Sequence, residues 1–285
     1  MRGVCIMSLV DYRDRVSVLV WVVVMGLAAQ RLLSLPVRTL ALTILGSPIT
    51  LTLTVNTILG VLLAGLVASG AEAVVRAHPR WEREAGALPA SLLTDHWVFW
   101  ALPIALVIMA LLLLPVAPSR LYWLLGLILT GMTLGLGMAG IYYTVDPFAA
   151  GYRRARLGLN ALTYGVALVL FLVVYRTRVR SILSATEVML LSGLFALELL
   201  RGSERPTRLV TLYAGIIGLV LGEATWALNY WRLDSLTGGL VLLLLFYNVV
   251  GLSQNALQRR VNRRVLLEFG LITIAALALV WKFAP

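Results

Sequence analysis

The segment RLVTLYAGIIGLVLGEATWALNY, residues 208–230, decides the fold class of this chain. It is apolar along almost its whole length, and its one acidic residue is Glu223. About 20 apolar residues in an α-helix cross a bilayer core that is roughly 30 Å thick. The segment is therefore predicted to be a transmembrane helix that carries Glu223 at membrane depth.

The composition of the whole chain agrees with this interpretation. Of its 285 residues, 60% are hydrophobic and 13% are charged, whereas a soluble domain has about 25% charged residues. The apolar residues run continuously rather than in the stripes of amphipathic soluble helices. The net charge of +11 comes from arginines that cluster between the apolar runs, as in membrane proteins. The expected partner is the lipid bilayer, and nucleic acid is not expected to bind.

The same length criterion finds nine candidate membrane helices, with no segment between them long enough for a separate soluble domain. We therefore predict an all-α polytopic membrane protein that forms a single integral membrane domain over residues 1–285. A short β-hairpin is predicted between the first two helices. The nine predicted spans are residues 16–34, 54–76, 97–115, 119–143, 158–176, 184–200, 208–230, 236–255 and 266–283.

The distribution of basic residues predicts the orientation of these helices. With the N-terminus inside, the inner loops and terminus hold 16 of the 24 arginine and lysine residues. Such an excess marks the cytoplasmic side, so the N-terminus is predicted inside and the C-terminus outside. The Arg176–Arg180 cluster lies on the outer side in this arrangement and opposes it.

Residues 37–55, VRTLALTILGSPITLTLTV, alternate apolar and polar residues on both sides of the GSP sequence. A period of two is typical of β-strands, so a β-hairpin is predicted over residues 38–55. Because hydrocarbon does not tolerate open sheet edges, the hairpin should lie at the outer surface or pack on the helices. The alternative is a helix that is broken at Pro48.

The loop between the second and third spans, residues 77–96, mixes charged residues with Trp81 and several leucines, and is predicted to lie at the membrane interface. It holds both histidines of the chain, His78 and His96, together with Asp95. Imidazole and carboxylate groups are common metal and haem ligands. Because the spacing of these residues matches no ligand motif, neither a metal nor a cofactor is predicted.

Glu223 shares one helix face with Trp226 and Tyr230, at the spacing of 3.6 residues per turn. Beside that face runs a strip of small residues that includes Gly218 and Gly222, and such strips are common where membrane helices pack closely. The carboxyl group is therefore predicted to point inward and to be buried among neighbouring helices.

Two further polar groups at membrane depth are candidates for a site with Glu223. Glu187, on the sixth span, should lie close to it in depth, and two neighbouring carboxyl groups can share a proton in a relay. The alternative is structural, with Glu223 bonded locally and Glu198 paired with Arg201. Asn248, in the eighth span, is predicted to make structural hydrogen bonds, with contact to a solute as the alternative.

The segment GEATWALNYWRL resembles a bacterial family of multi-pass membrane proteins that is known as a domain of unknown function. The segments LLLLFYNVVGL and RRVNRR, the hairpin LGSPITLTLTV and the AHP that ends the second span are similar to that family too. The resemblance implies a multi-pass protein of the bacterial cytoplasmic (inner) membrane. It implies no activity and no functional residue.

Three functions follow from these features. The first is a non-catalytic scaffold, assembly factor or accessory subunit of other membrane proteins, favoured because no motif of soluble-type catalysis occurs in the sequence. The second is a proton-coupled transporter or carrier that uses Glu223. The third is an intramembrane enzyme that acts on a lipid, with Asp95 and His96 as acid and base. The first is predicted, and an enzyme is not favoured.

Overall fold

The structure is a computed structural model of the whole chain. The residues that it describes are 2–31, 38–44, 47–79, 95–149, 151–177, 181–203, 206–231 and 234–283.

The described residues are predominantly α-helical, as predicted. They contain nine α-helices, three short 3₁₀ helices and two β-strands. The α-helices are α1 (Arg2–Ala29), α2 (Val55–Arg76), α3 (Ala101–Leu113), α4 (Arg120–Tyr143), α5 (Tyr152–Thr177), α6 (Ser181–Leu200), α7 (Thr207–Asn229), α8 (Ser235–Leu257) and α9 (Arg263–Phe283). The 3₁₀ helices are Asp95–Trp100, Leu114–Val116 and Arg201–Ser203.

Six stretches of helix within the described residues are long and apolar enough to cross a membrane. They are Thr57–Arg76, Trp97–Val116, Arg120–Tyr143, Tyr152–Arg176, Thr207–Asn229 and Ser235–Leu257. Length and hydropathy therefore support six of the nine predicted spans, and α1, α6 and α9 fall outside this set. The charged residues Asp11, Arg13, Asp14 and Arg15 interrupt α1 before its apolar part begins at Val16.

Capping residues define where several of these helices begin. Thr54 accepts a hydrogen bond from the Thr57 amide at 3.3 Å, before α2. Asp234 accepts one from the Thr237 amide at 3.4 Å, before α8. Such side chains satisfy amide groups that have no partner within the helix. The hydrogen bonds from Thr237 hold the pKa of Asp234 below its usual value.

Two strands, β1 (Arg38–Ile44) and β2 (Ser47–Leu53), occupy the region of threonine alternation. They pair antiparallel, with Thr39 opposite Thr52 and Leu40 opposite Leu51. Their placement at the outer surface remains a prediction. Residues 80–94 of the predicted interfacial loop lie outside the described residues.

Contacts between residues divide the chain into two compact units, Met1–Ala155 and Arg156–Pro285. In the first unit, α1 packs against α2 and α4, and α3 packs against the same two helices. Its core includes the fully buried side chains of Leu27, Leu102 and Leu134. The single domain over residues 1–285 remains a prediction.

In the second unit, α6 packs along the length of α7, and α8 contacts α6, α7 and α9. Three buried phenylalanines form its centre: Phe171 from α5, Phe195 from α6 and Phe246 from α8. Their ring centroids are 5.8–6.3 Å apart and their planes are nearly perpendicular. This edge-to-face geometry is favourable for aromatic side chains.

Candidate functional site

Helices α6 and α7 approach closely because glycines lie at their contact. A Cβ atom at Gly218 would lie 2.6 Å from the carbonyl oxygen of Met189, so only glycine fits there without a shift of backbone. At Gly222 a Cβ atom would lie 3.0 Å from the Cβ of Met189. Near the end of the contact, the Asn229 side chain donates a hydrogen bond to Ser184 at 2.9 Å. The small residues of α7 therefore pack as predicted at these two positions.

A groove of about 310 Å³ runs beside this contact. Its lining is Ala185, Thr186 and Met189 from α6 with Leu219, Gly222, Glu223 and Trp226 from α7. Glu223 is the only ionisable residue of this lining. The groove is therefore an apolar surface that carries a single carboxyl group.

The prediction that Glu223 is buried among helices is wrong, because its side chain is exposed. Successive residues of an α-helix are rotated by about 100°, so the residue after Gly222 points away from the contact with α6. Glu223 does share a face with Trp226 and Tyr230, but this face lies outside the packed interior. Trp226 and Tyr230 are 55% and 75% exposed, and their ring centroids lie 6.4 Å apart.

Glu187 lies on the exposed side of α6 but does not line the groove. Met189, which does line it, is two residues further along the helix, so the two side chains point about 160° apart. Within the described residues, no hydrogen bond joins Glu187 to Glu223. A proton shared between the two carboxyl groups remains a prediction without a contact to support it.

Asn248 is buried in the second unit and joins two helices. Its side-chain nitrogen donates to the carbonyl of Leu244 at 2.7 Å, and its oxygen accepts from the Thr273 hydroxyl on α9 at 2.9 Å. Both ends of the amide are thus engaged within the protein, which favours a structural role over contact with a solute.

The interfacial candidates belong to the first unit. The ring of His78 lies 4.8 Å from that of Tyr142, which in turn stacks on Tyr12 at 3.9 Å. Burial and a 3.4 Å hydrogen bond to Tyr143 raise the pKa of Tyr12 to about 12. The backbone of Asp95 and His96 opens a 3₁₀ helix, but their side chains lie outside the described residues. Among the described residues, no three His, Cys, Asp or Glu side chains are grouped to hold a metal ion.

The main polar cluster of the second unit consists of Glu198, Arg201 and Arg156, and only its Glu198–Arg201 pair was predicted from the sequence. The Glu198 side chain is completely buried, and Arg201 donates to both of its oxygens at 2.9 Å, as in the predicted pair. A second arginine, Arg156, lies 3.3 Å from the same carboxylate. This third member was missed because it is 42 residues away in sequence, and no local pattern relates the two positions.

Arg156 also caps the C-terminal end of α6. Its guanidinium donates to the backbone carbonyls of Glu198 and Leu199, both at 2.8 Å. The Gln254 side chain donates to Leu199 as well, at 3.2 Å. The last carbonyls of a helix have no partner within it and carry partial negative charge, so a cation there is favourable.

The same end of the second unit holds the turn between α8 and α9. Two hydrogen bonds close this turn, from the Arg259 amide to Ala256 and from the Arg260 amide to Asn255, at 3.0 and 2.9 Å. They form a Schellman motif, whose left-handed position is usually glycine. Here that position is Arg259, with φ of 55°.

Comparison with protein families identifies the chain. Residues 35–282 match the family described as Protein of unknown function (DUF5656). The chain belongs to the DUF5656 family. The predicted resemblance to a domain of unknown function is thereby confirmed.

The DUF5656 match includes the two strands and helices α2 to α8, with nearly all of α9. The region matched by the family therefore contains the groove beside Glu223, the contacts of Glu198 with Arg156 and Arg201, and the turn between α8 and α9. The chain matches no curated protein and no solved structure.

Proposed function

We propose that this chain is a multi-pass integral membrane protein that acts as a non-catalytic scaffold or accessory subunit. In this proposal, the groove between α6 and α7 binds a transmembrane helix of another membrane protein. One observation carries the proposal: Glu223 is exposed in an apolar groove and bonds to no described residue.

The depth of Glu223 makes this exposure costly in a membrane. Helix α7 is one of the six that are long and apolar enough to span a bilayer. Glu223 lies six residues before its end at Asn229, which is about 9 Å along the helix axis. A lone acidic side chain that faces lipid costs up to about 2.5–3.5 kcal/mol on insertion scales, the value for the centre of a membrane helix. A partner that bonds to the carboxyl group would recover part of this free energy.

The chemistry of the groove defines its occupant. The lining residues Ala185, Gly222 and Met189 allow a helix to approach closely, and Glu223 adds one hydrogen-bond acceptor. A complementary helix therefore carries small and apolar residues with one arginine, lysine or other donor opposite Glu223. In membranes, interhelical hydrogen bonds of this kind contribute about 0.6–2 kcal/mol.

The proposal includes the topology predicted from the sequence. It comprises nine spans with the N-terminus inside, in the cytoplasmic membrane of a bacterium. The excess of arginine in alternate loops supports the orientation, and the six apolar helices support insertion in a membrane. The bacterial cytoplasmic membrane is supported by the sequence resemblance alone.

The test uses a defined transmembrane peptide in place of the unknown partner. The full chain is reconstituted in bilayers with a labelled Leu/Ala helix that carries one central arginine, and association is measured by energy transfer. A helix with leucine at that position serves as the reference peptide. The arginine helix should associate more tightly by about 3- to 30-fold, which corresponds to 0.6–2 kcal/mol.

Two variants of the chain sharpen this test. Glu223→Leu should remove the preference for arginine, whereas Glu187→Leu should keep it, because Glu187 is exposed but does not line the groove. Equal binding of the two peptides by the parent would contradict the proposal. Energy transfer between two copies of the chain that is lost in Glu223→Leu would instead assign the groove to self-association.

A further inference from the structure

We infer that the turn between α8 and α9 binds the phosphate headgroup of an anionic phospholipid. The four side chains that would hold it are Arg259, Arg260, Arg263 and Arg264. This basic turn lies away from the Glu223 groove, so the inference does not depend on what binds in the groove. It does rest on the proposed insertion of the chain in a membrane.

The basic turn has a high and uncompensated positive charge. All seven residues from 258 to 264 are exposed, and four of them are arginines. No ion pair or side-chain hydrogen bond joins these four arginines to another described residue. The nearest acidic residue in sequence is Glu268, one helical turn beyond Arg264. Clusters of this size beside a membrane helix are favourable for binding anionic lipids.

The local backbone makes these arginines costly for the fold itself. Arg259 has φ of 55°, in the left-handed region that favours glycine. Arg263 and Arg264 lie in the first turn of α9, where the helix dipole is positive and cations are unfavourable. Fold stability therefore does not explain the arginines at these positions. A bound anion would offset the unfavourable charge at the start of α9, and it would account for an arginine at position 259, where the backbone favours glycine.

The surroundings of the turn favour a lipid over a free phosphate ion. Val261 is exposed within the turn, and α9 continues from it with an exposed apolar surface. That surface includes Leu266, Leu267, Leu271 and Ile274. A phosphodiester held by guanidinium groups would place its acyl chains beside this surface, so one amphiphilic molecule matches both parts.

The proposal is tested with the purified full-length chain in a neutral detergent. Binding of fluorescent phosphatidylglycerol is compared with binding of fluorescent phosphatidylcholine, whose choline cancels the phosphate charge. Phosphatidylglycerol should bind more than about tenfold more tightly, given a gain of about fivefold for each arginine near the headgroup.

Two variants separate the binding role from the structural role. Arg259→Gly should weaken phosphatidylglycerol binding by about fivefold, whereas its thermal unfolding midpoint should stay equal or rise because glycine tolerates the left-handed backbone. Arg259→Gly with Arg260, Arg263 and Arg264 all changed to Gln should reduce binding to the phosphatidylcholine level. The control is Arg176→Gln, which should leave binding unchanged because Arg176 is exposed near the C-terminal end of α5 and is not part of the basic turn.

Three results would overturn the proposal. One is equal affinity of the parent for the two lipids. Another is unchanged phosphatidylglycerol binding in the fourfold variant. The third is displacement of the lipid by inorganic phosphate at equal concentration, which would assign the basic turn to a soluble phosphate instead. A folded parent that prefers phosphatidylglycerol in detergent supports the inference even if no helix binds at Glu223.

Discussion

Two glutamates of the second unit, Glu198 on α6 and Glu223 on α7, have opposite environments. Glu198 is completely buried and bonds to both Arg156 and Arg201. Glu223 is exposed in an apolar groove and bonds to no described residue. The first has all its partners within the fold, so its role is structural. The second has its polar group open to another molecule, so it is the candidate for function.

The comparison predicts the largest effect for removal of the buried carboxylate. Glu198→Ala should lower the free energy of unfolding by about 3–5 kcal/mol, because two largely buried guanidinium groups would lose their counterion. Denaturant unfolding of the purified chain in detergent measures this change. The matched variant Glu223→Ala should not lower it, because Glu223 bonds to no described residue and its removal takes a carboxyl group out of the apolar groove. Equal losses of stability in the two variants would show that the two glutamates do not differ in their structural role.

The α6–α7 contact, which positions the groove, should be sensitive to one methyl group. Gly218→Ala should destabilise the chain by about 1–3 kcal/mol, because the new Cβ atom would meet the Met189 carbonyl at 2.6 Å and force the backbone to shift. Gly215→Ala is the control, since no atom lies within 4 Å of its new Cβ position. This control should be neutral or stabilising, because alanine favours helix. Thermal unfolding in detergent distinguishes the two, and a neutral Gly218→Ala would refute the close contact.

A buried polar group in the first unit gives an effect on stability that appears only at high pH. The pKa of Tyr12 is raised from 10.0 to about 12 by burial and by Tyr143. The neutral phenol is thus favoured in the folded state, and its contribution to stability is present below pH 10 and lost as the pH rises to 12. The unfolding midpoint of the parent should therefore fall more steeply over this range than that of Tyr12→Phe. Parallel pH profiles would contradict this assignment.

The parts of the fold that the sequence predicts are those with local signals. Long apolar runs predict the helices because bilayer thickness sets their length, and glycine spacing predicts the contact at Gly218 and Gly222. The predicted direction of the Glu223 side chain was wrong because it depends on which side of α7 packs against α6. No single-helix pattern contains that information. Arg156 was missed for a related reason, since its contact with Glu198 is made between distant parts of the chain.

In the proposed function, the groove beside Glu223 is open at membrane depth and receives a helix with a complementary donor. The direct measurement places a spin label at Leu219→Cys in a Cys5→Ser background, in bilayers, because Leu219 lines the groove beside Glu223. Collision rates with oxygen and with a water-soluble nickel chelate then report access from lipid and from water. A label at Leu212→Cys, exposed on the same helix but outside the groove, is the control.

We expect high oxygen access and low nickel access at residue 219. Oxygen access should fall when the arginine helix is added, should stay high in the Glu223→Leu background, and should not change at residue 212. High nickel access at residue 219, or oxygen access that the arginine helix leaves unchanged, would show that the groove does not bind a helix from the lipid phase.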